Sequence, residues 1–476
     1  MKKNQDQLFA WREEWKLVRW THATIRSLRL LVVIVFALAL VTACNTGAEP
    51  QTDTEADTSA EQPVEEAAAP TDSQTEQPAE EAAAEEVTIE WWHIQNTDPM
   101  LTLWQQLADE FMAAHPNVTI NITVMENEAF KSALQTNLQA GDAPDLFQSW
   151  GGGGLKQQVE GGLVRDITEE SAGFIGNLNS GAVGLLQVDG KQYGIPWNLG
   201  MVGFWYNKDL FDQAGIDAPP ATWEEFLADV QTLKDAGITP IAVGAGDKWP
   251  AHFYYSYLMI REGGEAAMTQ VAEDLDFNKP EFVEAGNQLQ RLIDMQPFQA
   301  GFLAAPWDAP DGESGTFGTG QAAMSLMGPW GPGSYANQAP DGAFPGTLGW
   351  FPFPLVEGGA GAATDAFGGG DGFAVGKDAP PEAVEFLEYI TALPQAERIG
   401  AAGTHLPITI GSENSVTDPN MQMVLAGLTK ATFVQLYLDQ FFSPEIGAAV
   451  NDAVATLFAG TATPEEVTEA ITNAAR

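Results

Sequence analysis

VTIEWWHIQNTDPMLTLWQQLADEFMAAHPNVTINITVMENEAFKSALQTNLQAGDAPDLFQSW, residues 87–150, is the stretch from which the fold class can be read. Val87–His93 is rich in β-branched and aromatic side chains, which suits a buried strand. Asp98-Pro99 offers an N-cap and a first-turn proline; Leu101, Leu103, Trp104, Leu107, Phe111 and Met112 then follow at helical spacing until Pro116 stops them. Val118–Met125 alternates as a second strand. Phe130–Ala140 reads as a second helix closed by Gly141, and Asp145–Trp150 as a third strand running into Gly151–Gly154. A parallel connection needs a crossover, usually a helix, so this order predicts an α/β fold: a parallel-dominated sheet with helices on both faces.

The same grammar continues downstream. Thr222-Trp223-Glu224-Glu225 is a capping box opening a helix to about Ala236, with Gly237 beyond it. Ile238–Val243 returns as a strand, and Thr463-Pro464-Glu465-Glu466 opens the last helix in the same way.

Upstream the chemistry changes. Residues 1–43 form a basic leader (Lys2, Lys3, Arg12, Lys16, Arg19, Arg26, Arg29) that runs into the apolar stretch Leu30–Val41 and then Thr42-Ala43-Cys44. That stretch is short for a membrane span and suits the apolar region of a signal peptide. Val-Thr-Ala-Cys resembles the bacterial lipobox, which makes Cys44, the only cysteine, the expected lipidation site. Residues 44–86 read as a disordered acidic linker. From Asn45 onward it has thirteen Asp/Glu, no Lys or Arg and no aromatic residue, too little apolar surface to offset the entropy of ordering.

The whole chain has 476 residues and a formal net charge of −44. Such a surface repels a phosphate backbone and an anionic membrane, so nucleic acid is not an expected partner. One cysteine excludes a disulfide scaffold, and no G-x-x-x-x-G-K-[ST] loop is present to hold nucleotide phosphates.

Several short segments occur in a telling order: Val87–Trp92, Gly141–Asp145 (GDAPD), Tyr193–Pro196 (YGIP), Phe204–Phe211 (FWYNKDLF), Thr222–Phe226 (TWEEF), Gly328-Pro329-Trp330, Gly372–Val375 (GFAV) and Pro381–Ile390 (PEAVEFLEYI). From about Val87 to the C-terminus the chain resembles the carbohydrate-binding proteins of ABC importers, the solute-binding family 1 that includes maltose-binding protein. The resemblance implies a two-lobed periplasmic-binding-protein fold of type II, hinged on crossing segments. The first lobe would comprise 87–197 with 354–393, and the second 198–353 with 394–476. Crossings are expected near Pro196–Val202 and Phe351–Pro354, with a third from the C-terminal helices. It implies a monomer anchored by lipid at the cell surface or in the periplasm, with ABC permease subunits as partners and no cofactor.

Sugar chemistry agrees with the residues. A pyranose has an apolar C–H face and a hydroxyl rim, so its site needs aromatic platforms beside carboxylates and amides. Trp150 stands at the C-terminal end of a parallel strand, where open α/β sheets place ligands. The resemblance implies stacking roles for Trp249 and Trp330, both at positions where the family stacks sugar. His93 and Asn96 end the first strand, Glu128 follows the second, and Asp371 lies in a glycine-rich turn near the second crossing; these are the expected polar contacts. Asn127 could instead cap a helix. Gly200 stands where maltose-binding protein has a carboxylate, so contacts of the maltose type are not expected. Trp104 and Trp223, on apolar helical stripes, are expected in the core. The ligand expected is a di- to tetrasaccharide.

No enzyme is expected. G-x-S-x-G and H-E-x-x-H are absent, and the five histidines, among them His252 and His405, lack ligand spacing. No metal is assigned; Asp308–Glu313 is acid-rich but lacks the calcium-loop pattern. An exported glycoside hydrolase, or a surface adhesin for carbohydrate, is the alternative reading.

Overall fold

The computed structural model describes residues 85–476; the leader, Cys44 and nearly all of the linker lie outside the described residues. The chain starts with β1 (Val87–His93), α1 (Met100–Ala114), β2 (Val118–Val124), α2 (Asn127–Ala140), β3 (Leu146–Ser149) and α3 (Gly152–Glu160). It continues through β4 (Gly194–Pro196), β5 (Asn198–Met201), β6 (Gly203–Asn207), α4 (Trp223–Asp235), β7 (Thr239–Ala242), α5 (Trp249–Asp274) and α6 (Pro280–Asp294). Then come β8 (Ala322–Met327), α7 (Gly331–Gln338), β9 (Leu348–Phe351), β10 (Ala366–Gly369), β11 (Gly372–Val375), α8 (Pro381–Thr391) and α9 (Leu393–Ala401). The principal elements end with β12 (Leu406–Pro407), β13 (Val434–Leu436), α10 (Pro444–Phe458) and α11 (Pro464–Ala474).

Three sheets organise these elements. The first has the order β2-β1-β3-β11-β4, the second β9-β6-β8-β7 and the third β12-β5-β10-β13. In the first, β1 runs parallel to β2 and β3, whereas β11 is antiparallel to β3 and β4. In the second, β8 is parallel to β7 but antiparallel to β6, which also pairs antiparallel with β9. The sheets are therefore mixed where strand-helix alternation predicts a parallel-dominated arrangement. Connectivity is the reason: β4 and β11 belong to segments that join the lobes, and neither is reached by a local helical crossover.

Each of the first two sheets carries its own core. Around the first, Trp91 meets Trp104, Phe373 and Phe386 edge to face at centroid separations of 5.0–5.6 Å. Around the second, Phe353 stacks on Tyr257, Trp223 and Phe204. Burying one such side chain contributes about 1.5–3 kcal/mol, so these clusters are a main favourable term in holding each lobe together. Trp104 and Trp223 are buried in these cores. Both capping boxes form: Thr222 Oγ1 accepts from Glu225 N while Glu225 Oε2 accepts from Thr222 N, and Thr463 and Glu466 repeat the exchange.

The third sheet connects the lobes. β5, within the expected Pro196–Val202, lies between β4 of the first sheet and β6 of the second. The second crossing differs from the expectation. Phe351–Pro354 belongs to the second lobe, with Phe351 and Phe353 buried there, and it is β10 that pairs with β5 and leads into β11. Pro352 and Pro354 break a strand without changing lobes. The change occurs at Gly368–Gly370, where a Cβ on Gly369 would lie 2.5 Å from the Tyr437 ring. The lobe limits move accordingly. Arg261 holds residues 353–365 to the second lobe, while Ile399 and Ile408 pack in the first-lobe core. Arg398 of α9 also pairs with Glu110 of α1 at 2.8 Å. The amphipathic face of α9 is satisfied by the first lobe, so residues 394–401 pack there, whereas Leu406 of β12 is buried in the second-lobe core.

Candidate functional site

A cleft of about 960 Å³, partly open to solvent, lies where the lobes and the third sheet meet. Its first-lobe wall is made by the loop after β1 (Asn96, Thr97, Asp98), the start of α2 (Glu126, Asn127, Lys131) and Trp150 at the end of β3. Its second-lobe wall holds Trp249 and Phe253 of α5, Trp307, Asp308 and Trp330. The crossings supply Asp371, His405, Tyr437 and Asp439. Asn96 Nδ2 donates to Asp308 Oδ2 at 3.4 Å, so the two walls touch at the rim.

Five of the seven expected site residues line this cleft: Asn96, Trp150, Trp249, Trp330 and Asp371. His93 and Glu128 do not. His93 follows the period-2 register of Ile89 and Trp91, which points it into the core, where its ring lies 4.8 Å from Trp91. It is 1% exposed, and burial pushes its pKa down to about 3, leaving a neutral imidazole. Glu128 points along the helix and pairs with Lys131 Nζ at 2.9 Å. Glu126 is the cap of α2, accepting from Glu128 N and Ala129 N, so Asn127 is not the cap and faces the cleft.

The indoles differ in what they can offer. Trp150 and Trp330 are half-buried and both line the cleft. Trp249 is 8% exposed, wedged against Phe253 at 5.3 Å and Trp307 at 5.9 Å, and its Nε1 has no acceptor among the described residues. Trp330 stands on a fixed base. Trp205 Nε1 donates to Gly328 O at 3.0 Å, and Pro329 fills the space above Gly200 so tightly that a Cβ there would lie 2.4 Å from its ring. A longer side chain at Gly200 would displace the tryptophan loop, which accounts for the missing carboxylate.

Asp371 sits beneath Trp150. Its carboxylate accepts from Gln148 Nε2 (2.8 Å) and Asn198 Nδ2 (2.7 Å), with the Trp150 side chain as a further donor. Burial pushes its pKa up to about 6 in spite of these donors. Both oxygens are engaged, which suits holding Trp150 and the β5 crossing in place. His405 lies 4.8 Å from Trp197, and burial lowers its pKa to about 3.

Sequence reasoning missed Trp307 and Tyr437 as walls and placed Asp308 only in an acid-rich loop. The usable signal was weak: Trp307 follows a proline in a stretch without helical or strand periodicity. Behind that wall Glu313 is buried, accepting from Ser325 Oγ at 2.6 Å and Gly244 N at 2.8 Å, while Ser325 Oγ also meets Tyr335 OH at 2.8 Å. Burial pushes its pKa up to about 8. A carboxyl raised in the fold stabilises when protonated, and that contribution is lost as pH rises from about 4.5 through about 8. Glu313→Gln should therefore flatten the fall of melting temperature across this window; thermal unfolding of both forms as a function of pH checks it, and parallel curves would refute it.

Residues 96–397 match the family of bacterial extracellular solute-binding proteins. The chain belongs to that family. Among its relatives, a putative binding protein of Brucella abortus is 28% identical over half of this chain and 57% of its own length. The lactose-binding protein of Rhizobium radiobacter is 26% identical over 65% of this chain and 71% of its own length. The chain thus spans little more than half of the Brucella relative. Of solved structures, one reported for xylan utilization by the thermophilic bacterium Caldanaerobius polysaccharolyticus superposes with a TM-score of 0.76 at 28% identity, over 81% of this chain and 99% of that one. A chitin oligosaccharide binding protein shares the fold at a TM-score of 0.73 and 23% identity, over 82% of this chain and 98% of its own. The family's two-lobed architecture agrees with the two sheets and the crossing sheet described above. Among the described residues no helix is long and apolar enough to cross a membrane.

Proposed function

We propose that the chain is the extracytoplasmic carbohydrate-binding component of an ABC import system, closing two lobes on an oligosaccharide and presenting it to membrane permease subunits. The observation that carries the reading is the pair of half-buried indoles on opposite lobes, Trp150 and Trp330, lining a cleft rimmed with carboxylates and amides. Stacking serves the C–H faces of pyranose rings, and the polar rim serves their hydroxyls. The cleft is lined from both lobes and from the crossings, and a di- to tetrasaccharide is the ligand class proposed for it. Relatives whose names specify lactose or multiple sugars support the same ligand class.

Because both lobes contribute, ligand binds the closed state more tightly and shifts the population toward it. A thermal-shift screen against an oligosaccharide panel identifies the ligand, since binding to the folded state alone raises the melting temperature. The ligand should also be recovered unchanged after long incubation; its cleavage would favour the hydrolase reading. If no oligosaccharide stabilises the protein, the proposal fails.

The anchor is part of the same proposal. Cys44 would carry lipid and become the first residue of the mature protein, with residues 45–86 as the tether and the cell surface or periplasm as its location. Intact-mass analysis of native protein checks this. A mature chain that begins before residue 44, or Cys44 without added lipid mass, would exclude it.

A further inference from the structure

We infer that the cleft selects sugars by charge, taking neutral and amine-bearing sugars and turning away those that carry a carboxylate; this rests on the carbohydrate reading above. Five carboxylates line the cleft: Asp98, Glu126, Asp308, Asp371 and Asp439. None is paired with a lysine or arginine among the described residues. Asp98 accepts from Thr102, Glu126 from the backbone at the start of α2, and Asp308 from Ser314 and Gln338. Asp371 accepts from two amides and the Trp150 side chain, and Asp439 from Asn451. These neutral donors orient the carboxylates without cancelling their charge.

The one cation of the lining is already committed. Lys131 Nζ pairs with Glu128 at 2.9 Å and stands 5.7 Å from the centre of the Trp150 ring. Across the cleft Asp247 also lies within the fields of Glu126, Glu128 and Lys131. Of the two histidines nearest these groups, His405 lines the cleft and His252 stands 3.8 Å from Asp439; burial keeps both neutral. A uronate entering the cleft would therefore lose its hydration and meet fixed like charges with no free counter-ion. Like-charge juxtaposition of this kind is a strong means of rejecting a wrong ligand. A hydroxyl or an acetamido group meets no such penalty, and an ammonium is attracted.

The experiment uses ligand pairs that differ in charge. They are xylotetraose against a xylo-oligosaccharide of similar length bearing glucuronic acid, lactose against lactobionic acid, and chitotetraose against its fully deacetylated form. Calorimetric titrations of the mature protein are run at low and at high salt. The expected result is that a neutral member binds, its acidic partner binds at least about tenfold more weakly, and the gap narrows at high salt because screening weakens the repulsion. The deacetylated tetramer should bind no worse than the acetylated one at low salt. Asp308→Asn combined with Asp439→Asn should narrow the neutral-to-acid ratio, which is read as a ratio so that a general loss of affinity cancels. An acidic sugar that binds as tightly as its neutral partner overturns the inference and leaves the carbohydrate reading standing. A gap that does not respond to salt overturns it too, since rejection would then be steric. If no member of any pair binds, the carbohydrate reading falls and takes the inference with it.

Discussion

Trp330→Ala is expected to weaken sugar binding by roughly 2–4 kcal/mol, about thirtyfold to a thousandfold in Kd, with little change in melting temperature. The size follows from the position of the ring. It is half-buried, packs edge-on against Tyr437 at a centroid distance of 6.3 Å, and lines the cleft. The stability side follows from the backbone beneath it. Gly328 is held by Trp205 and Pro329 by its fit against Gly200, so the loop keeps these two anchors when the indole is removed. Trp249→Ala should behave differently. That indole is packed between Phe253 and Trp307, and removing it leaves a cavity. Its loss should cost about 3–5 kcal/mol of stability besides weakening binding. Calorimetry and urea unfolding on both variants separate the two effects. Undiminished affinity in Trp330→Ala would mean that the sugar does not use this wall.

Arg261→Leu is expected to destabilise the fold by about 3–5 kcal/mol, the size associated with stranding buried polar groups. Arg261 is fully buried and has no carboxylate partner within salt-bridge range among the described residues. Its guanidinium donates to four carbonyls: Nε to Pro354 (3.1 Å), Nη2 to Phe353 (2.9 Å), and Nη1 to Ala362 (2.9 Å) and Asp365 (2.8 Å). The rings of Tyr257 and Phe353 lie beside it at 5.3 and 6.0 Å. One side chain thus ties down the segment that carries the chain from β9 toward the β10 crossing. Leucine would fill part of the volume and strand the carbonyls of Phe353, Pro354 and Asp365, while Ala362 O would keep only Asp365 N. Lysine should rescue only a fraction, because an ammonium has three donors and no planar fork to span carbonyls on both sides. Urea unfolding measures the difference; a loss below about 1 kcal/mol would show that water replaces the guanidinium.

Much of the fold was legible because its signals are local. Thr222 and Thr463 act as caps through residues three positions away, and the apolar stripe of α1 repeats every turn, so a short window holds all the information. The site was legible only in part. Trp150, Trp249 and Trp330 each end or precede an element next to glycine or proline, a recognisable setting for a cleft aromatic. His93 was misplaced although its register was readable: it is two residues from Trp91 and four from Ile89, on the same face of the strand. Glu128 was misplaced for a different reason. Which of three successive polar residues caps a helix depends on a difference in backbone dihedrals that sequence does not display, and Glu126 took the cap.

By itself, then, the sequence determined the α/β class, the strand-helix order of the first lobe, the two capped helices and the strongly acidic balance, because each depends on neighbours along the chain or on composition alone. Tertiary structure decided where the chain changes lobes. Two prolines at 352 and 354 and three glycines at 368–370 are equally plausible breaks in a linear reading. Only packing shows that Phe353 is buried under Tyr257 while Gly369 passes beneath the Tyr437 ring. Tertiary structure also brought Trp307, Asp308, Tyr437 and Asp439 to one cleft from segments more than a hundred residues apart. It gave Arg261 its four acceptors as well. Those contacts depend on the relative placement of distant segments, which is set by the joint packing of both cores and cannot be read from the spacing of any one segment.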